Sequence, residues 1–400
     1  MKLGNLATSQ LGNLATWQLG NLATWQLLFA VQGVAAVLLL WRLLPAVRRR
    51  PAIRPHPPVT DTTVSVIVPT LNEVQRIEPC LTGIAKQGAP LIEAIVVDSG
   101  SRDGTPELVA AAARRDPRVR LERDPPLPAG WIGKVWALQH GLSLARGEWI
   151  LGLDADTEPD EGMVAAVVTA ARDLDVELAS FSPMFAGQTA LERWLQPALL
   201  VSLLYRTGAP GTATPPARLL ANGQCFLVRR EVLFRLGGYE PARDSFADDV
   251  RLARWYAGRG VRCAFLDGRF LYRVRSYRSA AEMWREWGRS VDLADATSRP
   301  RQLLDLAVLA LAQVLPVPLL LAALLVPLPF ALVMLNLFLL CVRFAVLFSI
   351  APSYEQRGVA FYASWLSDAA AFLRVALSTF RRPVSWRGRF YRDTAEAPLR

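Results

Sequence analysis

The chain has 400 residues, enough for one large domain plus accessory segments, because single cores stop growing near ~250–300 residues. Apolar residues make up 52%, above the ~45–50% typical of soluble proteins, and the excess sits at the two ends. The formal charge of +10 comes from arginines clustered beside those apolar ends, which excludes a nucleic-acid binder and points to a membrane surface.

The first 25 residues hold a direct repeat, Leu-Gly-Asn-Leu-Ala-Thr-(Ser/Trp)-Gln, starting at Leu3, Leu11 and Leu19. Its period of eight matches neither a heptad nor a solenoid unit, so it reads as a low-complexity extension with no chemistry. From Gln26 to Leu44 the only ionisable residue is Arg42. Nineteen helical residues reach about 28 Å, which predicts a retained transmembrane anchor. Arg48, Arg49, Arg50 and Arg54 follow it within a linker over 45–62 that is stiffened by Pro45, Pro51, Pro55, Pro57 and Pro58.

Beyond the linker, strand-like runs at Val64–Val68, Ile92–Val97, Val119–Glu122, Trp149–Leu153, Glu177–Phe181 and Cys225–Val228 alternate with helical patterns such as Pro106–Arg115 and Val135–Ala145. The alternation predicts an α/β domain over 63–300, a mostly parallel sheet flanked by helices. Ligands bind such sheets at the carboxyl ends of the strands. Cys80, Cys225, Cys263 and Cys341 are widely spaced and far in sequence from His56 and His140, which argues against a zinc site or disulfide framework.

Residues 303–350 are almost unbroken apolar sequence, with Asp305 and Arg343 as the only charges, and predict two transmembrane helices that turn near Pro327–Pro329. A less apolar stretch, 359–380, carries Asp368 and Arg374 and predicts an interfacial helix, with a full span as the alternative. The basic tail, 381–400, contains Arg381, Arg382, Arg387, Arg389 and Arg392. Arginines at the outer ends and none in the turn predict a multi-pass protein of the cell membrane with its α/β domain cytoplasmic.

Four segments carry polar chemistry. Pro69 is expected to end the first strand, leaving Thr70, Asn72 and Glu73 at its exit, where a nucleotide base can be held or a helix capped. Asp98 emerges from the second strand ahead of Gly100 and Gly104, placed for ribose or uracil, with Asp103 a helix cap. Asp154 and Asp156 end a buried strand as a D-x-D pair, one carboxylate for a hard cation and one for the nucleotide; a second D-x-D, Asp173–Asp175, reads as solvated surface. Asp248 and Asp249 open a helix, where one can cap it and the other can act as general base.

The ordered set Val-Pro-Thr-Leu-Asn-Glu, Asp-Ser-Gly-Ser-Arg-Asp-Gly-Thr, Gly133–Lys134, Asp-Ala-Asp and Asp-Asp resembles that of family-2 glycosyltransferases over about Val64 to Arg289. The tail with Arg-Arg-Pro-Val-Ser-Trp-Arg-Gly-Arg is similar to membrane-bound members implicated in hopanoid or carotenoid glycosylation. The resemblance implies a GT-A fold and inverting transfer from a nucleotide-diphosphate sugar, UDP-sugars foremost, to a hydroxyl of a membrane lipid of carotenoid, hopanoid or polyprenyl type. It further implies Mg2+ or Mn2+ on Asp156, the nucleotide on Asp154, the nucleoside on Asp98, the diphosphate near Lys134, and the base at Asp249. Many relatives have Glu-Asp where this chain has Asp248–Asp249, which leaves the identity of the base open between the two. The Gln/Arg-x-x-Arg-Trp motif of processive polysaccharide synthases is absent, so single addition is favoured over polymerisation. Nucleotidyl transfer would usually bring a Gly-rich phosphate loop, which Thr70-Leu71-Asn72-Glu73 is not. A non-catalytic scaffold would be expected to lose Asp156 or the Asp248–Asp249 pair, and both are present.

Overall fold

The computed structural model describes residues 3–380 except 276, 278, 291 and 292, together with 385–386 and 389–390. Helix α1, Leu3–Leu43, takes in both the octapeptide repeat and the apolar segment as one element. Its second half and the 3-10 turn Leu44–Arg48 that follows make up a segment, Ala23–Arg48, long and apolar enough to cross a membrane. The proline-rich linker that follows lies as an extended strap on the α/β domain. Its N–H groups donate from Arg50 to Gly211 O (2.9 Å), Ile53 to Asp267 O (2.8 Å) and Val59 to Ala89 O (3.1 Å).

The domain is built on a seven-stranded sheet. In chain order its strands and the small ones beside it are β1 Val64–Thr70, β2 Leu91–Asp98, β3 Val119–Arg123, β4 Trp149–Leu153, β5 Thr157–Pro159, β6 Leu178–Ser182, β7 Met184–Phe185, β8 Cys225–Arg229, β9 Cys263–Asp267 and β10 Tyr272–Val274. The large sheet runs β3-β2-β1-β4-β8-β6-β9, and β5-β10-β7 form a small one. All neighbours in the large sheet are parallel except β8, which opposes both β4 and β6.

Strand periodicity splits the core in two. Val64, Val66 and Val68 face a cluster with α2 (Ile77–Ala85), α3 (Thr105–Arg115) and α5 (Met163–Asp173). Ile67, Ile95 and Ile150 face the other, with α4 (Gly133–Leu144), α7 (Arg230–Arg235) and α8 (Asp248–Ala257). Pro69 does not end β1, contrary to expectation. The Thr70 carbonyl accepts from Ser99 on the β2 side, so Pro69 faces β4, where pairing has already stopped at Ile67, and its missing N–H costs no ladder bond.

Helix α6, Ala190–Thr207, joins this domain to the apolar helices. A Thr189–Glu192 capping box starts it, and Leu195, Ala198 and Leu199 pack with Ala35 and Leu39 of α1. The helices that follow are α9 (Ala280–Ser290), α10 (Arg299–Leu309), α11 (Pro316–Ala322), α12 (Phe330–Ile350), α13 (Gly358–Tyr362) and α14 (Asp368–Phe380). Arg299–Ala322 and Phe330–Ser353 are the two further segments able to span a membrane, joined through Pro327–Pro329 as expected. Pro316 and Pro318 lack N–H donors, and the first span accommodates them by widening to a π-turn at Ala310–Val314, where Leu315 N–H reaches Ala310 O at 2.9 Å.

The stretch 359–380 is not one helix. It breaks into α13, a 3-10 turn at Ser364–Ser367 and α14, because Asp368 turns inward onto Arg343 of α12 (2.8 Å) rather than toward an interface. The charges in the apolar segments are thus paired: Arg343 with Asp368, and Arg42 with Asp305 at 2.8 Å. Gln32 and Asn336 exchange amide hydrogen bonds between α1 and α12. The tail expected at 381–400 lies outside the described residues, except for the short pairing of Ser385–Trp386 with Arg389–Phe390.

Candidate active site

The carboxyl end of β4, the start of α4 and the start of α8 converge on Lys134. Its Nζ lies 2.9 Å from Asp154 Oδ1 and 3.8 Å from Asp248 Oδ1. Burial works against the charge of Lys134, yet Asp154, Asp248 and Asp249 hold its ammonium above the usual lysine range. Burial pushes the Asp248 carboxyl up to about 7, with Lys134 opposing and Asp249 and Asp154 adding to the rise. Asp249 is raised as well, by burial first, against Lys134 and two backbone hydrogen bonds.

Those bonds fix Asp249. Oδ1 accepts from Val250 N–H (2.7 Å) and Oδ2 from Gly223 N–H (2.6 Å). Of the two acids expected to divide capping from projection, Asp249 takes up the Val250 N–H, the third of α8, while Ala247 is the cap position and makes no side-chain bond. Gly223 enters through the Asn222–Gln224 turn before β8. A Cβ there would stand 2.9 Å from Lys134 Nζ and 3.5 Å from Asp249 Oδ2, so any larger residue would displace the Lys134 ammonium. Sequence reasoning passed over this turn, although Asn-Gly at a strand entry was its signal.

A cavity of about 270 Å³ opens on this cluster. Pro69, Glu73, Asp154, Asp156, Asp248 and Asp249 line it with Lys134, so seven of the nine sequence-derived candidates share one space. Asp98 and Asn72 do not line it. Asp98 is 5% exposed, and its carboxylate accepts from Gly100 N–H, Ser101 N–H, Ser101 Oγ and Thr70 Oγ1. Asn72, at φ 56°, accepts from Arg102 N–H and donates its own N–H to Ser101. Both hold the Asp98–Arg102 turn, beside Pro69 and Glu73 in the chain order of β1 and its exit. Asp103 accepts from Val74 and Thr105 N–H, while Gly104 is the α3 cap residue.

Among the described residues no three carboxylates, cysteines or histidines form a protein-only metal cage. The donor set instead suits a hard cation that keeps most of its shell for phosphate oxygens and water, since Asp156 presents a carboxylate to the cavity while Asp154 is engaged by Lys134.

Three comparisons bear on this arrangement. The chain is 32% identical over 163 residues to a PGL/p-HBAD biosynthesis glycosyltransferase of Mycobacterium bovis, covering 38% of this chain and 62% of that one. It is 31% identical over 115 residues to glycosyltransferase GlyG of Streptococcus pneumoniae, covering 29% and 37%. The chain therefore spans less than two thirds of the length of these relatives. Mannosyltransferase PcManGT of Pyrobaculum calidifontis, solved in complex with GDP-Man and Mn2+, superposes with a TM-score of 0.53 at 24% identity, over 88% of this chain and 99% of that one, and this likeness shows a GT-A-like fold. Residues 65–237, which hold β2, the Asp154–Asp156 pair and Lys134 but not Asp248–Asp249, match the Glycosyl transferase family 2 model.

Proposed function

We propose that this protein is an inverting glycosyltransferase that moves a sugar from a nucleotide-diphosphate sugar to a hydroxyl of a membrane lipid. The observation that carries the reading is the convergence of Asp154, Asp156, Asp248 and Asp249 around Lys134 in one cavity beside the apolar helices. Asp156 would hold Mg2+ or Mn2+, which when bound offsets the diphosphate charge. Asp154 and Lys134 form the nucleotide side, with the ammonium directed at the leaving diphosphate. Pro69 and Glu73 border the nucleoside, and Asp98 and Asn72 act by holding the adjoining turn rather than by direct contact.

Asp249 accepts the proton of the acceptor hydroxyl as that oxygen bonds to the anomeric carbon. The bond from that carbon to the diphosphate oxygen breaks, and the nucleoside diphosphate leaves with the electron pair. A carboxylate has about four lone-pair sites, so Asp249 retains capacity beyond its two backbone bonds. Asp156→Ala tests the donor side: transfer should vanish while the thermal unfolding of the protein stays within a degree or two. Full activity in excess chelator would remove the cation role from Asp156.

A further inference from the structure

Five arginines from five elements meet where the candidate span Ala23–Arg48 ends and Arg299–Ala322 begins. Arg42 lies in the last turn of α1, Arg206 in that of α6 and Arg254 in that of α8, while Arg218 ends a 3-10 turn at Pro216–Arg218 and Arg301 opens α10. None of the five lines the cavity around Lys134. Their acids are few. Asp305 stands 2.8 Å from Arg42 and 3.8 Å from Arg206, and Asp295, near Arg254, accepts from Ser245 and also faces Arg251. Arg254 donates to the Leu219 and Ala296 carbonyls and to Thr297 Oγ1, and Arg42 to the Tyr205 carbonyl, acceptors that satisfy N–H groups without cancelling charge. Among the described residues five guanidinium groups therefore share two carboxylates, a surplus of three positive charges.

The surplus acts on its own members. Burial, then Arg42 and Arg301, lower the Arg218 guanidinium below its ordinary range against the pull of Asp305. Arg254 is lowered to about 10, by burial first and then by Arg206 and Arg301. Arginine still keeps its proton at neutral pH, so the repulsion persists unless an anion enters. Arg42 Nε and Arg218 Nη1 are closed off from solvent and have no acceptor. Leaving buried guanidinium N–H groups in that state is costly, and the oxygens of an anion would remove the cost. The cluster opens on the surface at the end of the helix bundle: Arg301 is exposed, and Arg218 lies 4.3 Å over the ring of Trp41, which is 60% exposed. Leu303 and Leu304, next in the chain after Arg301 and Gln302, are exposed as well. A cationic cluster bordered by an exposed tryptophan and leucines suits a ligand with a phosphate at one end and acyl chains at the other.

We propose that this cluster binds the phosphate of an anionic phospholipid, with the headgroup between Arg218 and Arg301 and the acyl chains beside Trp41, Leu303 and Leu304. The proposal rests on reading the apolar helices as membrane spans and is independent of the glycosyl-transfer reading. It is tested on the full chain in nanodiscs of phosphatidylcholine alone and of phosphatidylcholine with phosphatidylglycerol. Phosphatidylglycerol should raise the unfolding midpoint by at least about 3 °C, the effect of a ligand that binds the folded state. Native mass spectrometry of protein released from equimolar discs should find it retained at least about tenfold over phosphatidylcholine. Arg218→Gln with Arg301→Gln should abolish both effects, yet unfold no earlier than wild type in phosphatidylcholine alone, because it relieves repulsion. Arg48→Gln with Arg50→Gln, which takes the same charge from exposed positions nearby, should keep both effects. Equal loss in the two double variants would mean a diffuse attraction and overturn the site. Millimolar glycerophosphate reproducing the shift in phosphatidylcholine discs would overturn the lipid as its source. A chain that stays soluble without lipid or detergent would overturn the membrane reading and the proposal with it, leaving sugar transfer untouched.

Discussion

Replacing Asp249 by Asn removes a proton acceptor while keeping shape, and the structure sets what else changes. Both Asp249 oxygens accept backbone N–H groups, from Val250 and Gly223. An amide can accept only one of them, so its NH2 opposes the other donor, at a cost of about 1–3 kcal/mol. That strain loosens the Asn222–Gln224 turn but leaves Asp154 and Asp156 in place just beyond the carboxyl end of β4. Turnover should therefore fall at least about a hundredfold, which is ~2.7 kcal/mol in the barrier, with nucleotide-sugar affinity nearly unchanged. The sign of the pH dependence follows from the raised Asp249 and Asp248 carboxyls. A general base works when deprotonated, so wild-type turnover should rise with pH and lose activity on acidification earlier than an ordinary carboxylate would allow, toward the neutral range where Asp248 titrates at about 7. The assay is initial-rate transfer at saturating donor, from pH 5 to 8.5, for wild type, Asp249→Asn and Asp248→Asn. If Asp248→Asn shows the hundredfold loss and Asp249→Asn does not, the two roles are exchanged and the assignment is wrong.

Two further outcomes concern the membrane part. Asp368→Ala should lower stability by about 3–5 kcal/mol because it strands the Arg343 charge, which is 2% exposed, whereas Arg343→Met with Asp368→Leu should recover most of that loss in detergent-based unfolding; equal stability of the single variant and wild type would mean the pair does not form. Cysteines introduced at Thr60 and Ala395 should both react with an impermeant thiol reagent only from the cytoplasmic side, because the arginine clusters resist translocation. Reaction from opposite sides would refute this topology.

The sheet was legible because its strands are short, apolar and bounded by turn residues; Val64–Val68 and Trp149–Leu153 need no tertiary information to be seen. The acidic pairs were legible because they stand at strand and helix ends. Asp98 was harder, since sequence shows a carboxylate at a strand exit but not that four donors of its own turn will occupy it. Helix α6 escaped notice because its mix of leucines with Glu192, Arg193 and Arg206 resembles an ordinary domain helix; only packing shows that it lies between the bundle and the cavity. The break in 359–380 likewise depends on a partner for Asp368 that lies 25 residues away on α12.

The central claim, transfer of a sugar from a nucleotide-sugar to a membrane lipid, is tested most directly by incubating membranes that carry the protein with a panel of radiolabelled nucleotide-sugars and following the label. The account predicts label in an extractable lipid from at least one donor, absent in membranes carrying Asp249→Asn. Label in a polymer, or transfer undiminished by the substitution, would contradict it.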